Sequence, residues 1–155
     1  MKLGDVLKKE RERKRLTEDD VAGRLGLSAD RYGELEGGTS AAEEWGPRLA
    51  LIAVALKTPT SRLIAQTGKA AQSKQVDGQC GKLIRSHREK KGLSQKDLSE
   101  KLGITEADVA SIEDGKSPLE IYAPPLLAFA EIIDQPMFNL FYPCGLPLSE
   151  LTDYP

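Results

Sequence analysis

The architecture of the chain is indicated most directly by LSQKDLSEKLGITEADVASIEDGKSP, the segment from Leu93 to Pro118. Ser94 is a residue type that caps the N-termini of helices, and Gly103 provides the left-handed residue with which many helices end. Shortly after this glycine, Thr105 can cap a second helix, and Gly115 can end it. The stretch therefore predicts a helix, a tight turn and a second helix.

The same order of caps and glycines occurs earlier in the chain. An offset of 77 residues, which places Leu16 on Leu93, aligns residues 3–64 with residues 80–141 without a gap. About a quarter of the aligned positions are identical, many of them glycines, prolines and apolar residues that fix backbone shape. The pairs include Gly4 with Gly81, Arg11 with Arg88, Gly26 with Gly103, Glu36 with Glu113, Pro47 with Pro124, and Pro59 with Pro136. We interpret this pattern as a tandem duplication.

The duplication predicts an all-α protein with two five-helix domains, residues 1–66 and 80–142. Prolines are tolerated in the first turn of a helix, so we expect Pro47 and the pair Pro124–Pro125 to open the fourth helices. On the same ground Pro59 and Pro136 should open short fifth helices. Residues 67–79 are small and polar and predict a flexible linker. Residues 143–155 are rich in proline and predict an extended C-terminal tail.

Composition excludes several classes of protein. The net charge is −2, and residues 80–155 carry 8 basic against 12 acidic residues, which is an unusual balance for a nucleic-acid binder. No apolar run approaches the roughly 20 residues that cross a bilayer, so we expect no membrane insertion. Cys80 and Cys144 are too few for a disulfide framework, which suggests the cytoplasm. His87 is the only histidine, so we predict no metal, no cofactor and no enzyme activity.

Both copies resemble the phage-repressor/Cro-like helix-turn-helix family, also called the XRE family. The resemblance rests on LIRSHREKKGLSQKDLSEKLGITEADVASIEDGKSP in the second copy and VLKKERERKRLTEDDVAGRLGLSADRYGELEGGTS in the first. It implies two tandem repressor-like helix-turn-helix domains. It also implies buried ion pairs between helix one and the end of helix three, Arg11–Glu36 and Arg88–Glu113. We interpret these four residues as structural, because removing one partner would leave a buried charge uncompensated.

The resemblance further assigns DNA contacts, because helix three of this family lies in the major groove. It assigns base contacts to Glu106, Ala107 and Ser111 of the second copy, and phosphate contacts to Gln95, Lys96, Thr105 and Lys116. The corresponding residues of the first copy are Ala29, Asp30 and Glu34 for bases, and Glu18, Ser28 and Thr39 for phosphates. Bidentate base reading uses Arg, Lys, Asn or Gln, and neither copy has one at the base positions. Arg31 is the strong donor nearest to them.

Two functions remain open from the sequence. The first is a regulator of transcription that binds double-stranded DNA mainly through the second copy, because the first copy is degenerate. Its cluster Glu18–Asp20 repels the phosphates that this position should contact. Such a regulator would act as a homodimer or as an internal pseudo-dimer. The second is a protein-interaction module that has lost or relaxed DNA reading and binds a partner through the acidic faces of its third helices or through apolar residues of its tail. The basic first helices could follow a DNA backbone or simply be solvated.

Overall fold

The structure is a computed structural model that describes residues 1–70 and 76–144. Every regular element in these two ranges is helical, which confirms the predicted all-α class. The first half of the chain contains α1 to α4 and a 3-10 helix, η1. The second half contains α5 to α8 and two 3-10 helices, η2 and η3. The elements are α1 Leu3–Arg13, α2 Glu18–Leu25, α3 Ala29–Gly37, α4 Ala42–Leu56, η1 Thr60–Leu63, α5 Gln79–Lys90, α6 Gln95–Leu102, α7 Glu106–Glu113, α8 Leu119–Ile132, η2 Met137–Leu140 and η3 Tyr142–Cys144.

Side-chain caps and left-handed glycines set the helix boundaries in both halves. The hydroxyl oxygens of Thr17 and Ser94 accept hydrogen bonds from the third residue of α2 and of α6. Both of these helices end at a glycine in the left-handed conformation, Gly26 with φ 70° and Gly103 with φ 69°. Short polar caps and glycine are the residues that satisfy the free backbone groups at helix ends most readily. The helix–turn–helix order therefore follows directly from local sequence.

Two sequence-based expectations about helix starts are wrong. Pro47 lies inside α4, and Pro124 and Pro125 lie inside α8, so these prolines do not open the fourth helices. These helices begin earlier because the hydroxyl oxygens of Ser40 and Ser117 each accept a hydrogen bond from a backbone N–H two residues later. The predicted fifth helices are single turns of 3-10 helix, each preceded by a proline.

Residues at the end of the predicted linker and at the start of the predicted tail are helical. Gln79 belongs to α5, and its side-chain amide donates to the carbonyl oxygen of Ile64 at 2.9 Å. Pro143 and Cys144 belong to η3 instead of an extended tail. The remaining tail, residues 145–155, and the linker residues 71–75 lie outside the described residues.

The first and third helices of each half meet at a glycine. A Cβ atom added to Gly4 would overlap the backbone carbonyl oxygens of Leu35 and Glu36. At Gly81 it would overlap those of Ile112 and Glu113. Any side chain at these two positions would have to push α1 from α3, or α5 from α7. This close approach brings the arginines of α1 and α5 within reach of the glutamates that end α3 and α7.

The two halves share one hydrophobic core. Helix α4 packs against α8, and each of these helices also contacts the second helix of the other half, so that α6 lies on α4 and α2 lies on α8. The contacts of the 3-10 helices are likewise reciprocal, because η1 packs on α5 and η2 packs on α1. Residues of both halves belong to the same buried cluster, including Leu49, Ile52, Leu126 and Phe129. An ion pair between Lys14 and Asp134, at 3.6 Å, also joins the halves at the surface.

Candidate nucleic-acid interface

Helices α6 and α7 form an exposed corner at the surface of the second half. Val109 and Ile112 of α7 are buried in the core, which turns Glu106, Ala107 and Ser111 toward solvent. Helix α7 begins with a reciprocal pair of hydrogen bonds. The Thr105 hydroxyl accepts from the backbone N–H of Asp108 at 3.1 Å, and the Asp108 carboxylate accepts from the backbone N–H of Thr105 at 3.2 Å. One backbone N–H at the start of α7, that of Thr105, is therefore already bound to a carboxylate of the same helix.

The residues expected to contact phosphate are arranged around this corner. Lys96, Thr105 and Lys116 are exposed, on α6, at the cap of α7 and in the loop after α7 respectively. Gln95 is half-buried instead, and its side-chain amide donates to the Glu113 carboxylate at 3.2 Å. Gln95 thus supports the start of α6 against the end of α7, a contact that the sequence did not predict.

A buried ion pair anchors this corner to α5. The Arg88 guanidinium donates to the two Glu113 carboxylate oxygens at 2.6 and 3.0 Å, and its third hydrogen bond reaches the Leu93 carbonyl oxygen at 2.7 Å. Arg88 is 8% exposed and Glu113 is 5% exposed. The hydrogen bond to Glu113 raises the pKa of Arg88, against the effect of burial. Such a bidentate, desolvated ion pair holds α5 and α7 in a defined orientation.

The first half contains the same arrangement. Arg11 donates to the Glu36 carboxylate at 2.5 and 3.0 Å and to the Leu16 carbonyl oxygen at 2.8 Å. Burial acts to raise the pKa of Glu36, but the hydrogen bonds from Arg11 oppose this effect, and the net shift of the pKa is downward. The Tyr32 ring is fully buried beside this pair, and burial raises the pKa of its hydroxyl. By distance and angle, that hydroxyl has no well-formed hydrogen bond to any residue in 1–70 or 76–144.

The surface of the first half that corresponds to the α6–α7 corner carries several acidic residues. Glu18, Asp19 and Asp20 form the exposed first turn of α2, and the Glu18 carboxylate lies 3.9 Å from the Arg11 guanidinium. Hydrogen bonds from the backbone and hydroxyl of Thr17 lower the pKa of Asp20. Asp30 and Glu34 are exposed on α3. This surface is therefore negative where a phosphate group would have to lie.

Arg31 lies in a different environment from the residues on α6 and α7. It lines an open groove of about 1330 Å³ between the α2–α3 turn and α8. Arg24 and Lys69 also border the groove, while apolar side chains of α8 form its floor, including Ile121, which is 55% exposed. The predicted DNA contacts of the second half are not among the described residues that line this groove.

Two glutamates cap helices of the fold, and the sequence did not predict this role for either of them. The Glu43 carboxylate accepts hydrogen bonds from the backbone N–H groups of Leu3 and Gly4, at 2.9 and 2.8 Å, and so caps α1. Glu120 caps α5 in the same way, through Cys80 at 3.2 Å and Gly81 at 2.9 Å. Burial raises the pKa of Glu120 although these hydrogen bonds oppose the shift. The repeated pattern S-x-x-E, at Ser40 and Ser117, could have drawn attention to both residues.

The geometry of α6, the Gly103 turn and α7 is that of a helix-turn-helix. Comparison with known families agrees, because residues 84–121 match the family described as Helix-turn-helix. This match begins inside α5, spans α6 and α7, and ends in the first turn of α8, so it covers one copy of the motif. No curated protein and no solved structure matches the chain.

Other kinds of site find no support in the described part of the chain. Among residues 1–70 and 76–144, no three His, Cys, Asp or Glu side chains are grouped so that they could hold a metal ion. Within the same ranges, each helix is too short or too polar to cross a bilayer. Cys80 is buried and its thiol pKa is raised by burial, so it is a core residue and not a reactive thiol.

Proposed function

We propose that the protein is a DNA-binding transcriptional regulator that contacts double-stranded DNA through the helix-turn-helix of its second half. The observation that carries the proposal is the exposed α6–α7 corner, which lies within the segment that matches the helix-turn-helix family. Two exposed cationic residues belong to this segment, Lys96 on α6 and Lys116 after the end of α7. Such a placement suits contacts with the phosphates that border the major groove.

In this proposal α7 enters the major groove and the corner around it contacts the DNA backbone. Lys96, Thr105 and Lys116 contact phosphate groups, and Glu106 and Ser111 face base edges. A glutamate can accept a hydrogen bond from cytosine N4, but it also meets repulsion from phosphates. The Arg88–Glu113–Gln95 cluster keeps α6 and α7 at a fixed angle. Because the corner has few cationic side chains, the loss of any one of them should lower the affinity for DNA strongly.

We also propose that the chain is a tandem pair of repressor-like domains that pack as an internal pseudo-dimer. The offset of 77 residues supports this, because it relates the Arg11–Glu36 pair to Arg88–Glu113 and the bounds of α2 to those of α6. It also relates the cap formed by Glu43 to that formed by Glu120. The reciprocal contacts of α4 and α8 support a two-fold arrangement of the halves. A second chain would then not be needed to complete the core.

A protein-interaction module is the second candidate, and the charge of α7 favours it. Glu106, Asp108 and Asp114 are all exposed on α7 or at its C-terminal end. A partner protein with a basic surface would complement this face, whereas DNA would not. The partner would contact the acidic faces of α7 and, in the first half, of α3.

Binding to a labelled random-sequence duplex at two salt concentrations separates these candidates. Each phosphate contact contributes about 0.9 to the slope of log affinity against log salt, so a fourfold rise in salt weakens binding about 3.5-fold per contact. We expect measurable binding at low salt and a steep loss on adding salt. Absence of binding at low salt would refute the DNA-binding proposal and leave the protein-interaction module.

Charge reversal tests where the DNA lies. The double variant Lys96→Glu/Lys116→Glu should weaken binding to every duplex sequence and reduce the salt slope by about 2, because two phosphate contacts are lost. The matched control is Lys8→Glu/Lys9→Glu, which changes the charge equally on the exposed surface of α1. If the two variants weaken binding equally, the DNA is held by the general charge of the protein and not by the α6–α7 corner.

A further inference from the structure

The two halves present the same backbone positions with opposite charge where phosphates should be contacted. At the start of α6 and after α7 the residues are Gln95, Lys96 and Lys116, which sum to a formal charge of +2. The offset of 77 residues places Glu18, Asp19 and Thr39 at the matching positions, which sum to −2. Both helices are capped by the same hydrogen-bonding pattern and have the same length. The halves therefore differ in chemistry at this surface and not in local fold.

The packing of the halves determines what lies beside the second half. Helix α8 is covered by α4 and by α2 of the same chain, and its apolar residues Leu126 and Phe129 are about 1% exposed. A second copy of the chain could not use this face of α8 for a two-fold contact unless α4 moved away. The neighbour of the second helix-turn-helix is thus always the first half, whose matching surface carries Glu18 and Asp19.

A dimer of identical helix-turn-helix domains binds two matching half-sites, and its target is a palindrome. This chain joins one domain that suits phosphates to one that repels them. We propose that the protein binds DNA as a single chain on one non-palindromic half-site, and that the charge of Glu18, Asp19 and their neighbours keeps the first half from forming a second set of phosphate contacts. The inference rests on the proposed DNA binding of the second half.

Selection of binding sequences from a random duplex library tests the inference, together with the mass of the complex by light scattering. We expect a motif without two-fold symmetry and a mass of one chain per duplex. A palindromic motif with half-sites about one helical turn apart, or two chains per duplex, would overturn the single-site proposal while leaving DNA binding intact. No enriched sequence together with no duplex binding at low salt would instead refute the proposed function itself.

A charge transplant tests the reason for the asymmetry. The variant Asp19→Lys/Thr39→Lys gives the first half the two cations of the second half, and it should bind a long duplex more tightly, with a salt slope steeper by about 2. The control Glu12→Lys/Asn139→Lys adds the same charge at exposed positions on α1 and η2, outside α2 and α3. If the transplant and the control gain the same affinity and slope, the charge at these positions is not what keeps the first half off DNA.

Discussion

Removal of the Glu113 carboxylate should destabilise the protein far more than its place on a surface motif suggests. The carboxylate accepts two hydrogen bonds from Arg88 and one from Gln95. In the variant Glu113→Ala, the guanidinium of Arg88 stays charged in a site where it is 8% exposed, and its remaining hydrogen bond is to the Leu93 carbonyl oxygen. The cost is therefore that of a buried charge without a counterion.

The size of this loss follows from the burial of the pair. Removing one partner of a buried ion pair costs about 3–5 kcal/mol in the free energy of unfolding. Glu113→Gln keeps the shape and part of the hydrogen bonding, so its cost should be about 1.5–3 kcal/mol. The double variant Arg88→Met/Glu113→Leu removes both charges and should be more stable than Glu113→Ala, because the unpaired charge is gone.

Urea unfolding measures these free energies with two signals. Far-ultraviolet circular dichroism reports on all helices, and the fluorescence of Trp45, the only tryptophan, reports on α4 in the first half. For a slope of about 2 kcal/mol per molar urea, the Glu113→Ala midpoint should fall by about 2 M. Because the halves share a core, both signals should move together. A loss below about 1 kcal/mol, or a Trp45 transition that does not move, would refute the reasoning.

Three further predictions concern stability. Gly81→Ala should lower the free energy of unfolding by about 3 kcal/mol, because its Cβ would overlap carbonyl oxygens of α7. Gly23→Ala should raise that free energy by about 0.5–1 kcal/mol, because no described atom of another element lies within 4 Å of the added Cβ. Urea midpoints that rank the two variants otherwise would contradict the close approach of α5 and α7. Tyr32→Phe should leave the free energy of unfolding unchanged or raise it by about 1 kcal/mol, and a clear loss would show that the hydroxyl bonds to Glu36. Hydrogen bonds from Ser94 lower the pKa of Asp97 below 3.8, so its contribution is present above that pH and is lost as the pH falls through the lower folded value. Asp97→Ala should therefore be less stable than the parent at neutral pH and should lose less stability on acidification, as measured by urea midpoints over an acid series.

The helix-turn-helix could be predicted from sequence because its determinants are local. Ser94 and Gly103 fix the ends of α6 through their own backbone contacts, and both are visible in the sequence. The starts of α4 and α8 were predicted too late in the chain, because the predictions relied on the prolines and not on Ser40 and Ser117. The hydroxyls of Ser40 and Ser117 accept hydrogen bonds at the first helical residues, which places the prolines well inside the helices.

Contacts between distant segments could not be predicted in the same way. Gln95 was assigned to DNA phosphate, but its amide is used by Glu113, which lies near it only after α6 and α7 pack. Glu43 and Glu120 cap helices about 40 residues away in the chain, so their role depends on how α4 meets α1 and how α8 meets α5. The groove beside Arg31 depends on how the halves pack, for which a single sequence gives no spacing rule.

Because α4 packs on α8, each half covers part of the hydrophobic core of the other. If residues 80–144 were produced alone, the inner side of α8 would lose its cover, and side chains such as Leu126 and Phe129 would meet water or a neighbouring molecule. A fragment that contains only the second half should therefore aggregate instead of acting as a smaller regulator. By the same packing, a change of side chain on the face of α4 that contacts α8 would disturb the second half as well.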